Sequence, residues 1–122
     1  MGYMRHHTIV VTSWDEKILA TAHAEAYRIF DATVSEIVLS PVNGYVSFFV
    51  APDGSKEGWD SSDTGDAKRA EFIAWLRTQV YEDGSSSLTW FEAFYGDDDR
   101  ECAVEHHNWD ADAPAPEGGD DA

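Results

Sequence analysis

The sequence is short of bases. Its 122 residues hold 8 Lys+Arg against 24 Asp+Glu, for a formal net charge of −16. A nucleic-acid binder needs clustered Lys and Arg to neutralise phosphates, so direct binding to nucleic acid is excluded as an expectation. Adsorption to an anionic membrane surface is excluded on the same ground. Cysteine is scarce too: Cys102 is the one cysteine, which rules out an intramolecular disulfide and fits an intracellular chain, with the cytoplasm of a bacterial or archaeal cell as the expected location. No apolar run approaches the roughly 18–20 residues that cross a bilayer. The start of the chain, through His6 and His7, lacks the apolar stretch of a signal peptide. Also missing are G-x-S-x-G, a Walker loop, H-E-x-x-H and a cysteine with an evident base, so the sequence predicts no enzyme and no cofactor.

What is present is enough apolar material for a core. At 43% hydrophobic and 13% aromatic, the chain predicts one folded domain over residues 1–108. Residues 109–122 carry prolines, glycines and acids with almost nothing bulky to bury, and read as a disordered acidic tail. The charge is unevenly split: residues 97–122 hold 10 acids and one base, whereas residues 1–96 hold 14 acids and 7 bases.

The β-branched run at residues 8–12 predicts a strand. Ser13-Trp-Asp-Glu16 fits a capping box, with Ser13 as the N-cap, and Ile18, Leu19, Ala22, Ala26, Ile29 and Phe30 recur at helical spacing. Asn43-Gly44 is the preferred pair of a two-residue type I′ hairpin turn. That turn sets Leu39 opposite Phe48 and Ile37 opposite Val50, and assigns Ile37, Leu39, Val46, Phe48 and Val50 to the core face. Residues 51–65 read as a loop, and residues 66–80 as a helix with Ala70, Ile73, Leu76 and Val80 inward. A second hairpin turns at residues 96–99; with Tyr95 opposite Arg100, Phe91, Ala93, Cys102 and Val104 line the core face, and Leu88, Trp90 and Phe94 the other. The order β-α-β-β-α-β-β predicts an α+β, ferredoxin-like antiparallel sheet with strand order 2-3-1-4, a fifth strand outside strand four, and both helices on one face.

Two surfaces follow from that topology. The start of strand one, the loop after strand three and the 97–99 turn share one end, gathering Asp53, Glu57, Asp60, Asp63, Asp97, Asp98 and Asp99 as an acidic partner-binding end. The sheet face without helices is predicted to carry Tyr45, Phe49, Trp90 and Phe94, more apolar surface than a monomer leaves bare. Dimerisation or a protein partner is the expected use of that face, with Trp109 folding back over it as the alternative. Lys56 and Trp59, in a long loop with two glycines, form a candidate binding element; the plainer reading makes Trp59 a loop anchor.

Four histidines, His6, His7, His106 and His107, invite a metal reading. Strand five runs parallel to strand one, however, so the two pairs are not expected to converge, and a site joining His6 or His7 to Asp97–Asp99 lacks the calcium-loop pattern. No metal is expected. His23 reads as a packed helix residue, and Cys102, on the predicted core face, as a buried thiol.

The runs Ser40-Pro-Val-Asn-Gly-Tyr45, Ala51-Pro-Asp-Gly-Ser-Lys-Glu-Gly-Trp59 and Tyr81-Glu-Asp-Gly-Ser-Ser86 resemble a family of small acidic proteins of bacteria and their phages. The resemblance covers roughly residues 6–105. It implies a phage or mobile-element setting and carries over no functional residue. Three readings of the charge follow. An acidic interaction protein would bind or inhibit a basic nucleic-acid-binding protein, as a DNA mimic does. A salt-adapted (halophilic) protein would use the charge for solubility alone. A small metal-dependent enzyme would use the acidic end of the sheet.

Overall fold

β-branched residues cannot relax their side chains easily in a helix but fit a pleated surface, and residues 5–13 form the central strand β1 (Arg5–Ser13). A helix α1 (Glu16–Phe30) and a single 3₁₀ turn (Asp31–Thr33) follow, then β2 (Val38–Leu39), β3 (Val46–Val50), α2 (Asp60–Arg77), β4 (Leu88–Gly96) and β5 (Cys102–His107). These elements come from a computed structural model that describes residues 4–96 and 101–109. The five strands form one open sheet in the order β2-β3-β1-β4-β5, every neighbouring pair antiparallel. This is the α+β, ferredoxin-like arrangement with a fifth strand at the edge. Among the described residues no helix is long and apolar enough to cross a membrane.

Both helices cover one face. The apolar stripe of α1 buries Leu19, Ala22, Ala26 and Ile29 against Ile9, Val11, Val46, Phe48 and Val50 of the sheet. Helix α2 adds Phe72, Ile73 and Leu76, and Phe72 meets both Phe30 and Phe48 ring to ring. His23 packs edge-on against Phe48 at 5.1 Å and its Nε2 lies 2.9 Å from the Ser35 carbonyl oxygen, a packed helix residue.

Several local expectations change. The N-cap of α1 is Asp15, whose carboxylate accepts from the Lys17 and Ile18 amides, rather than Ser13. Ser13 is the last, buried residue of β1; its hydroxyl donates to the Ser87 carbonyl and accepts from the Asp15 amide. The first hairpin pairs Leu39 with Val46 and Val38 with Ser47, two residues away from the expected register. The loop spans residues 41–44, closed by the Ser40 amide on the Tyr45 carbonyl, with Asn43 and Gly44 at φ 66° and 69°. The pair supplies the left-handed backbone but not the whole turn. A shift of two preserves the faces, yet β2 is an edge strand that the helices do not reach: Leu39 is 62% exposed and Ile37 is exposed as well. Helix α2 begins at Asp60, six residues before the expected start, so Asp60 and Asp63 lie in its first turn where the helix dipole favours acids. Ala70 and Val80 are exposed, and Arg69 is buried in their place.

The largest correction concerns β4 and β5. Val11 pairs with Trp90 and Ser13 with Leu88, so Leu88 and Trp90 join the core, Trp90 being 1% exposed. Phe94, opposite His7, is on the same helix-covered side. Trp90 and Phe94 therefore do not belong to the open face. Tyr95 pairs with Cys102, not Arg100, and a bulge between Glu92 and Ala93 gives β5 one extra residue. Phe91, Ala93, Cys102 and Val104 consequently fall on the open face, and Cys102 is exposed. Both sides of β4 are apolar, which removes the alternation that would have told them apart. The Asp97–Asp99 turn and the acidic tail beyond Trp109 lie outside the described residues.

Candidate functional site

The side chains of β1 alternate across the sheet, so Arg5 and His7 point under the helices while His6 points away. Opposite His7 on the covered side stand Phe94 and, one pair further, Glu92. Glu92 is a carboxylate in phase with Leu88 and Trp90, and its side chain is 6% exposed. A buried charge needs partners. Arg69 of α2 supplies one through Nε at 3.1 Å, and His106 of β5 another through Nδ1 at 2.6 Å. Arg69 also pairs with Asp66, three residues earlier on its helix.

His7 completes the cluster. Its Nε2 lies 3.2 Å from Glu57 Oε2, and its Nδ1 lies 3.8 Å from Glu105 Oε1. The β5 bulge is what turns Glu105 toward His7 alongside His106. One donor atom each from His7, Glu92 and Glu105 lie within 4.8 Å of one another. These groups, with Arg77, line a cavity of about 550 Å³, a volume typical of small-ligand sites. His7 and Arg69 also border a second cavity of about 310 Å³ that contains Asp53.

Asp53 sits against α2 where Gly65 offers no side chain; a Cβ there would lie 2.7 Å from Asp53 Oδ2. Partial burial raises the Asp53 pKa, but hydrogen bonds from the Ser55 hydroxyl and amide, with the nearby charges of Arg69 and His7, more than offset it. The net effect holds the carboxyl below its ordinary range.

Of the residues assigned to the acidic end, Asp53 and Glu57 thus come to the start of β1, Lys56 bridges Met4 there, and Arg5 reaches Glu101. Asp60 and Asp63 are exposed on the first turn of α2. Lys56 Nζ lies 5.8 Å from the ring centroid of Trp59, which is about half exposed rather than tucked beneath the loop. The two histidine pairs split between faces. His7 and His106 share one cavity, contrary to the expectation that the ends stay apart, because Glu92 and Glu105 bridge the interval between β1 and β5. His6 and His107 face the other way, His6 beside Tyr95 and His107 stacked on Trp109 at 4.0 Å.

The open face carries Tyr45, Ser47, Phe49, Thr8, Val10, Thr12, Phe91, Ala93, Tyr95 and Val104. Trp109 meets Phe91 at its margin and covers only that corner. The charged residues of the five strands are Arg5, Glu92 and Glu105, all on the helix side. The uncovered strand face therefore bears no Asp, Glu, Lys or Arg in a chain of net charge −16. Arg69, Glu92 and Glu105 are the site residues that sequence reasoning missed; with both sides of β4 apolar, no signal marked the face of Glu92 as covered. No known family model matches this chain, and no curated protein matches it.

Proposed function

We propose that the protein is a non-enzymatic acidic interaction module, of phage or mobile-element character, that binds or inhibits a basic nucleic-acid-binding protein. One observation carries the reading: a charge-free, aromatic sheet face within a strongly acidic chain. Protein interfaces have centres depleted of charge and rich in aromatic residues, with polar rims. Tyr45, Phe49, Tyr95 and Val104, all exposed, supply such a centre. The chain's net charge of −16 selects a basic partner by steering encounter. Asp53, Glu57, Asp60 and Asp63, at the starts of β1 and α2 beside Lys56 and Trp59, supply the acidic steering end, and Asp97, Asp98 and Asp99 of the same sequence group lie outside the described residues. A DNA mimic in the strict sense would set carboxylates at the centre of the contact, so mimicry is confined to the acids away from that face.

The test is capture from an extract of the source cell by immobilised protein, in wild-type and Phe49→Asp forms, at salt from about 0.1 to about 0.5 M. The expected result is one basic protein retained at low salt, released as salt rises, and lost with Phe49→Asp. Capture indifferent to both salt and Phe49→Asp would refute the reading.

A further inference from the structure

We propose that His7, Glu92 and Glu105 form a binding site for a first-row divalent transition-metal ion, zinc being the best match to one imidazole and two carboxylates. The argument starts from His7, whose side chain is 12% exposed. Glu57 stands at hydrogen-bonding distance from Nε2, where a carboxylate accepts from an N–H; in the neutral ring with that proton on Nε2, the lone pair is on Nδ1. Nδ1 is buried and has no hydrogen-bond partner. It faces Glu105 Oε1 at 3.8 Å, too long for a hydrogen bond.

In that tautomer two acceptors confront each other across a gap, an arrangement that a cation between them stabilises. Donors about 2.1 Å from a shared tetrahedral ion stand roughly 3.4 Å apart, so this pair needs only a small inward movement. Glu105 sits on an edge strand and is partly exposed, so it can make that movement. Glu92 supplies the third ligand within 4.8 Å, its carboxylate oriented by Arg69 and His106. Metal-bound histidines commonly donate their other ring N–H to a carboxylate, and Glu57 is placed to receive it. The remaining coordination positions open into the 550 Å³ cavity, where water or an oxygen ligand fits.

The test is titration of chelator-treated protein with Zn²⁺ by calorimetry and with Co²⁺ by visible absorption. Expected is one ion per chain, with Co²⁺ bands of a four- or five-coordinate site. His7→Gln should weaken binding at least about 100-fold and Glu105→Gln at least about 10-fold, while Glu57→Gln falls in the roughly 10–100-fold range of an outer partner. His6→Gln and His107→Gln, on the opposite face, should leave the affinity unchanged. Glu105→Gln alters an edge residue without burying anything, so it remains informative if His7→Gln fails to fold. Absence of binding, or binding that survives both His7→Gln and Glu105→Gln, overturns the assignment; the second outcome would mark surface carboxylates as the ligands.

Discussion

Arg69 and Glu92 show how one pair of residues sets the character of the covered face. Each is buried, and each neutralises the other with help from Asp66 and His106. Removing one partner strands a charge in a low-dielectric interior, a cost of about 3–5 kcal/mol for buried pairs. Arg69→Met should therefore destabilise the protein by about 3 kcal/mol, the lower end, because His106 still serves Glu92. Replacing both, as Arg69→Met with Glu92→Leu, removes the stranded charge and should recover stability to within about 1 kcal/mol of wild type. Urea unfolding of the metal-free protein measures both; a double variant no better than the single one would show that the pair does more than neutralise itself. This pair was hidden in the sequence because an arginine on an amphipathic helix ordinarily reads as solvent-facing. Glu92 was hidden for a second reason: both sides of β4 are apolar, so nothing in the strand marks its face as the covered one.

Elements were easier to read than the way they join. The stripe Leu19, Ala22, Ala26, Ile29 and the β-branched run of β1 each have a single sensible periodicity, and the antiparallel order 2-3-1-4-5 follows from the succession of elements. Registers depend on loop length and bulges, which one pair such as Asn43-Gly44 does not determine. Start signals are ambiguous for a similar reason: Ser13 and Asp15 can both cap a helix. The structure makes Asp15 the cap and puts Glu16 at the first helical position rather than the third. Asp15→Ala should cost about 1 kcal/mol, whereas Glu16→Gln should cost a few tenths, through loss of a charge at the dipole's positive end. Thermal unfolding followed by circular dichroism separates the two; equal losses would restore the capping box centred on Ser13.

At the scale of the molecule, the decisive feature is that charge is sorted: acids occupy helices, loops and, through Glu92 and Glu105, the helix side of the sheet, while the open strand face has none. A net charge of −16 loads the folded state with self-repulsion, which salt relieves by screening. The Debye length falls from about 30 Å at 0.01 M to about 8 Å at 0.15 M and about 3 Å at 1 M, so most of that relief is complete well below molar salt. Attractive pairs respond in the opposite sense. Arg28 pairs with Glu25 of its own helix and with Glu71 of α2, but it is exposed and its pairs contribute little, so repulsion dominates the salt response. The apolar core around Phe48, Phe72 and Trp90 does not depend on salt to form. The melting temperature should therefore climb as NaCl rises from about 0.01 to about 0.15 M and level off near 0.5 M. A salt-adapted protein would behave otherwise, unfolding at low salt and gaining stability continuously into the molar range. Calorimetric scans over that series decide between the two. A plateau leaves the charge available to choose a partner, and a continued rise would make the acidity an adaptation to the solvent.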